Sequence, residues 1–469
     1  MLKIKDKGSL TEGPIFIRML LFVIPIILTG VLQVMYNMAD NIVVGRFSGD
    51  PDALGAVGST SSIVVLVTSV MLNLSSGAGV VIAQYYGAKD SEKVSRTVHT
   101  AMTFSVFGGL IFMTLGLVFA RPLLTLMGTQ EVFYDKALLY MNIICCGIPA
   151  TAVYNFGAAI LRSVGDSKTS LYVLSTSGIV NVILNLVFVL GFDMTVDGVA
   201  YATIISQYVS ALWIVLILMK RKGVSYRLFL GKLRFELHLV LRILYIGLPI
   251  ALQSSLFSIS NIVITSAINT FPPIVVSAKT IAFNIEGITY TVMDAFATAS
   301  MTFIGQNYGA KKFSRLNKVL LYAIVQVAVV GILVAQIEIL FGRQLSALYI
   351  NAADSNRQAI IDAVMQILNV MLSTYFLCGI MNVISGVLKG LGFSVSSMIA
   401  CLLGLVVRVA WILFVTPTER FHTIFGLFVS YTISWLFTIL LLIVCCIFAW
   451  RKLGIMRRAK EELKLEENT

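Results

Sequence analysis

Apolar residues run in long stretches over almost the whole chain, broken by short polar segments. Twelve of these stretches are long enough to cross about 30 Å of hydrocarbon at about 1.5 Å per helical residue. They cover residues 15–45, 54–82, 94–120, 132–160, 169–191, 196–219, 241–270, 274–304, 314–341, 357–388, 394–415 and 424–450. Hydrocarbon offers the backbone no hydrogen-bond partner, so each stretch must satisfy its own amides as a helix. The pattern predicts an all-α polytopic membrane protein. The polar start, residues 1–14, leads into an apolar run without a small-residue cleavage site, which reads as a retained first span rather than a signal peptide.

Composition narrows the class. Of the 469 residues, 58% are hydrophobic and 12% charged, against roughly 25% charged in a soluble domain. That is too little charge to coat a water-soluble globule or to keep a chain disordered. The net charge of +12 does not indicate nucleic acid, because the basic residues lie scattered between the spans. They are scattered by side. With a cytoplasmic N-terminus, 27 Lys and Arg fall on the inner side and 6 on the outer, a strong positive-inside bias that puts both termini in the cytoplasm of a plasma-membrane protein. The charge then serves as a topological address and an attraction to anionic lipid. The densest basic run, Lys220 to Arg242, joins spans six and seven and divides the chain into a first lobe (15–219), a linker (220–240), a second lobe (241–450) and a charged tail (451–469). Six cysteines sit within apolar stretches and read as small buried hydrophobes. His99, His238 and His422 fall at loops or span ends, where an interfacial role is expected.

The two lobes repeat each other. Gln84-Tyr85-Tyr86-Gly87-Ala88-Lys89 recurs as Gln306-Asn307-Tyr308-Gly309-Ala310-Lys311, an offset of 222. Ala159-Ile160-Leu161-Arg162-Ser163-Val164-Gly165 pairs with Gly386-Val387-Leu388-Lys389-Gly390-Leu391-Gly392, an offset of 227, and Ile24-Pro25-Ile26 with Leu248-Pro249-Ile250, an offset of 224. Six spans per half insert both halves the same way up, giving two pseudo-symmetric lobes about an axis along the membrane normal and a cleft suited to transport. Pro25 and Pro249 each remove a backbone hydrogen bond within a span. They mark either bending points or static kinks.

An ionisable side chain within a span costs about 2.5–3.5 kcal/mol and marks function by default. Asp40, Glu286 and Asp294 lie well inside spans, and Glu338 near the outer end of span nine. Tyr36 and Asn37 share a helix face with Asp40, and Asn181 and Asn185 share a face of span five. If those faces meet, amides and hydroxyls surround a carboxyl whose charged form burial disfavours, as a reversible proton carrier or a Na⁺ ligand requires. The alternative is a solvated Asp40 at the outer end of its span. Glu286 and Asp294, with Tyr290 one turn after Glu286, either line a cavity that attracts a cationic substrate or pair structurally with Lys279 and Arg408. Met residues can supply an adaptable substrate surface.

Pro25 with Asp40-Asn41-Ile42-Val43-Val44-Gly45, the paired Gln-x-Tyr-Gly-Ala-Lys loops, Leu161 through Thr169, Asn181-Val182-Ile183-Leu184-Asn185 and Gly198 through Thr203 occur in an order that resembles the multidrug and toxic compound extrusion (MATE) transporters over essentially the whole chain. The resemblance implies two six-helix lobes around a central cavity and export driven by an inward H⁺ or Na⁺ gradient. It also implies a cation or proton site at Tyr36, Asp40, Asn181, Asn185 and Thr203. Family members often carry Asp where Asn185 stands, so a single acid remains here, which favours single-charge coupling and weakens a Na⁺ site at Asp40, Asn181 and Asn185. Another branch carries Glu in span seven where this chain has Phe257, so coupling through the second lobe on that pattern is not expected. The expectation is a monomeric secondary antiporter of small, mostly cationic amphiphiles, with no cofactor beyond the coupling ion. The alternative is a flippase for lipids or lipid-linked oligosaccharides, which calls for a more cationic cavity. No phosphate-binding loop indicates an ATP-driven pump, and no zinc-protease motif indicates an intramembrane enzyme.

Overall fold

A computed structural model describes residues 9–47, 50, 52–351 and 355–467, and among these it contains helices and no strand. In the first half, α1 (Ile15–Phe47), α2 (Ala53–Gly87), α3 (Ser91–Leu126), α4 (Glu131–Ser163), α5 (Ser167–Leu186) and α6 (Val196–Lys220) follow one another. The second half comprises α7 (Leu237–Ile268), α8 (Pro273–Gly309), α9 (Phe313–Leu340), the short α10 (Gly342–Ala347), α11 (Arg357–Leu372), α12 (Tyr375–Gly390), α13 (Ser394–Ala410) and α14 (Ile424–Lys452), with α15 (Ile455–Glu467) after it.

Ten helices are both long and apolar enough to cross a membrane, and α11 with α12 makes an eleventh span bent by 43°. The twelfth expected span, α8, has 37 residues, but Lys279, Asn284, Glu286 and Asp294 lower its apolar content. The span expected at 357–388 is thus broken, at Ser373-Thr374.

The repeat extends to hydrogen bonds. After α2, the amides of Ala88, Lys89 and Asp90 donate to the carbonyls of Gln84, Tyr86 and Tyr85; after α8, those of Ala310, Lys311 and Lys312 donate to Gln306, Tyr308 and Asn307. This closure places Lys89 and Lys311 at φ +57° and +58°. After α4 and α12, Gly165 and Gly392 take φ +91° and +92°, a region that side chains avoid. A five-residue π-type turn extends α5 (Val187–Gly191), and another extends α13 (Trp411–Val415), at an offset of 224.

The chain divides into two compact units. One holds residues 24–251 and the other residues 11–23 and 252–469. The division does not fall at the linker expected at 220–240. It cuts α1 next to Pro25 and α7 next to Pro249, so each of these helices belongs partly to both units. In the first unit α4 is the central helix, buried among α2, α3 and α6. In the second, α8 packs on α12, α9 and α11. There Gly386 lies so close to the backbone of Ala297 that a Cβ would not fit, the small-residue contact by which membrane helices approach.

The basic linker folds onto the first unit rather than spanning a gap. The Leu228 amide donates to Leu218 O, and that of Phe229 donates to His99 Nε2 at 3.0 Å. Arg96 Nε donates to both carboxylate oxygens of Glu236, at 3.0 and 3.1 Å. His99 is therefore buried within α3, not interfacial, and its Nδ1 faces Ser95 O at 2.7 Å. The Arg96 contact holds the Glu236 carboxyl below the usual glutamate range.

Replacing Gly165 or Gly392 by Ala is expected to cost at least about 1–2 kcal/mol, read as a lower melting temperature in detergent, whereas Lys89→Gly should not lower it; equal tolerance at all three sites would refute this account of the helix ends. The Glu236 clasp contributes fully above the ordinary glutamate pKa of about 4.3 and is lost as pH falls through its lower folded value. Proteolysis within 221–236 should therefore accelerate on acidification past that range, and at neutral pH in Glu236→Gln.

Candidate functional site

The helix faces that the sequence places in register converge within the first unit. Asp40 of α1 is partly buried. Its Oδ1 accepts from Asn185 Nδ2 at 2.5 Å, and its Oδ2 lies 3.4 Å from Thr203 Oγ1 of α6. Asn185 Nδ2 also reaches Asn181 Oδ1 at 3.3 Å, and Asn181 Nδ2 lies 3.5 Å from Thr203 Oγ1. Asn185 is fully buried, because α5 is wedged against α6. Among the described residues, no Lys or Arg comes within ion-pair distance of Asp40. The carboxyl is held by amides and a hydroxyl, not by a counter-charge.

Two details define its chemistry. Thr203 Oγ1 also approaches Val199 O at 2.9 Å. A hydroxyl has one proton, so when that proton goes to Val199 the oxygen is free to accept one from a protonated Asp40. Asn185 Oδ1 is buried and unpartnered. A half-turn of that amide, whose O and N are not distinguished by shape, would offer Asp40 an acceptor in place of a donor. The cluster can therefore solvate both the charged and the neutral carboxyl.

The other expected partners lie elsewhere or outside the described residues. Tyr36 turns away from Asp40, and its hydroxyl approaches the carbonyls of Ser175 and Leu174 at 3.2 and 3.4 Å. It seats against Gly178, where a Cβ would fall inside the phenol ring. The side chain of Asn37 lies outside the described residues. Tyr140 of α4, buried and within electrostatic reach of Asp40, was not signalled by the sequence because its helix shows no polar face. Gly178 had a signal, lying one turn before Asn181 on the same face.

A second polar cluster occupies the second unit. Glu286 accepts a hydrogen bond from Tyr375. Arg408, almost fully buried, lies 4.1 Å from the centre of the Tyr431 ring. Lys279 donates to Thr265 at 3.0 Å and sits over Phe283. Neither cation forms an ion pair with Glu286, so structural pairing by Lys279 or Arg408 is not what holds that acid; Arg408 acts on it only at longer range. Tyr290 is half-exposed and Asp294 exposed on α8. Glu338, expected near a span end, is buried: Oε1 accepts the Thr289 amide at 3.1 Å, and Oε2 has no partner.

Comparison with known proteins sets this geometry in a lineage. Residues 25–187 and 249–413, well over half of the chain, match the model of the MatE family, once per half. The chain belongs to the MATE family. MATE proteins are membrane transporters and not enzymes, and that is the class of this chain. It is 29% identical over 453 residues to the "Probable multidrug resistance protein YoeA" of Bacillus subtilis (strain 168), covering 94% of this chain and 95% of that one. It is 23% identical to the "Multidrug export protein MepA" of Staphylococcus saprophyticus, covering 82% and 83%. A multidrug resistance MATE transporter of the MOP superfamily, solved in an outward-facing conformation, superposes with a TM-score of 0.85 at 22% identity, over 97% of this chain and 99% of that one. The MATE fold is thus shared along the whole length.

The seating of Tyr36 gives a coupled prediction. Gly178→Ala expels the phenol and should destabilise by about 1–3 kcal/mol, as overpacking does, while Gly178→Ala combined with Tyr36→Ala should cost little more than Tyr36→Ala alone. Additive losses in a double-mutant cycle of melting temperatures would show that the two residues do not meet.

Proposed function

We propose that this MATE transporter is a secondary antiporter that exports small amphiphilic, mostly cationic compounds in exchange for protons, with Asp40 as the coupling acid. One observation carries the reading: Asp40 is lodged in a helix bundle without a counter-cation, yet hydrogen-bonded in a way that serves both of its protonation states. A proton removes the cost of the buried charge; its release restores a carboxylate that Asn185 and Thr203 stabilise. The same cluster therefore serves both protonation states, as a carrier requires. With Asn rather than a second acid at position 185, the site carries one carboxyl, which favours single-charge coupling and so H⁺ over Na⁺. For a neutral substrate, one charge moving through about 100 mV supplies about 2.3 kcal/mol, enough for a gradient of roughly fifty-fold; when a monovalent cation leaves for each proton that enters, the potential cancels and the pH gradient alone drives export.

Supporting features follow the same logic. The relatives are named for multidrug resistance and export, and the 27 to 6 bias of basic residues supports a topology with both termini inside. Glu286, Asp294 and Tyr290 supply acid and ring groups that attract cations. Pro25 and Pro249 serve as hinges. Each removes the hydrogen bond to the carbonyl four residues earlier, at Leu21 and Tyr245, and each sits where its helix passes from one unit to the other.

The test is ethidium efflux from reconstituted vesicles, for the wild type and Asp40→Asn, with pH and Na⁺ gradients imposed separately. Efflux driven by the pH gradient should fall by at least about a hundred-fold in the variant, given the loss of the carboxyl on which the proposed coupling rests. Undiminished efflux in Asp40→Asn would overturn the assignment, and drive by Na⁺ alone would overturn the choice of ion.

A further inference from the structure

The second unit carries an apolar groove of about 640 Å³, within the roughly 300–1,000 Å³ range of ligand sites. Its walls come from Leu320 and Ile324 of α9, Ile384 of α12, and Ile439, Ile443 and Ile447 of α14. Along α14 it runs from Ile439 to Arg451, about 18 Å at about 1.5 Å per residue. That approximates one leaflet, half of a hydrocarbon core about 30 Å thick. Ile443 and Ile447 are exposed, so the groove opens sideways along an apolar helix face.

Its chemistry changes abruptly at one end. There the lining is Trp450, Arg451, Met456 and Arg457. Trp450 is buried and fixed by a 2.8 Å hydrogen bond from its indole N–H to Asn317. Gly454, at φ +63°, turns the chain so that α15 brings Met456 and Arg457 over the groove end. Glu462 pins α15 by accepting the Ser314 amide of α9 at 2.9 Å. Neighbouring cations are engaged elsewhere, Lys452 over the rings of Phe393 and Phe448 and Arg458 over Phe313. Arg451 is exposed and has no ion-pair partner among the described residues. Arg457 holds only a solvent-exposed pair with Glu461 one turn away, an interaction of about 0.3–0.5 kcal/mol that a phosphate displaces. Among the described residues, no acid lines the groove.

We propose that this groove binds one anionic glycerophospholipid, with an acyl chain along α14 and its phosphate held by Arg451 and Arg457. Guanidinium matches phosphate in a forked, bidentate geometry, and basic pockets beside membrane helices select anionic head groups. The lipid would add to the contacts that already join α9, α14 and α15.

The test is native mass spectrometry of the full-length protein, delipidated in detergent and titrated with phosphatidylglycerol, phosphatidylcholine or glycerol phosphate. One phosphatidylglycerol should bind at least about ten-fold more tightly than phosphatidylcholine, as expected for a charge-assisted contact, and glycerol phosphate should not compete at equal concentration. Arg451→Ala with Arg457→Ala, both on the surface and not expected to affect folding, should abolish that preference. Ile443→Trp, which fills the slot, should weaken both lipids while leaving the melting temperature of the lipid-free protein in place. Equal binding of the two lipids, a preference that survives in the Arg variant, or saturation by glycerol phosphate alone would each overturn the proposal.

Discussion

Everything in this molecule answers to the cost of an unsatisfied polar group in hydrocarbon. The backbone meets that cost by remaining helical, but the side chain of Asp40 cannot meet it alone. It requires Asn185 and Thr203, and those residues fix how α1, α5 and α6 converge. An apolar residue at position 40 would let these helices slide; a salt bridge would lock them around a permanent charge. Amides and a hydroxyl do neither: they hold the carboxyl by hydrogen bonds without a counter-charge.

The two halves share a frame and differ in what they enclose. Their helices stop with the same hydrogen bonds and the same backbone angles. Inside, the first unit surrounds one acid with amides, whereas the second bonds Glu286 to Tyr375 and stacks Arg408 on Tyr431. Helix ends are set by local sequence, which Gly165 and Gly392 illustrate, so they tolerate divergence elsewhere. Polar interiors depend on one or two side chains and change with single substitutions.

That difference also explains what the sequence reveals. Span positions, the repeat and the register of Asp40 with Asn181 and Asn185 follow from periodicity, because helical geometry converts spacing directly into faces. The break between α11 and α12 was not legible, since Ser373-Thr374 carries no Pro or Gly to mark it. Nor was the path of Tyr36, which shares a face with Asp40 but is long enough to reach the carbonyls of α5 near Gly178. The linker reads as a tether from its charge, yet Arg96 and His99, distant in sequence, strap it down. Contacts made by long side chains across helices escape any reading based on spacing alone.

The π-type turns carry a record of descent. Each accommodates one residue more than a regular helical turn, and the two stand at the same place in their respective halves, Val187–Gly191 and Trp411–Val415. Such an insertion rotates everything downstream, and its independent arrival twice at one address is the costlier history. The extra residue therefore belongs to the frame that the two halves have in common, as the helix ends do.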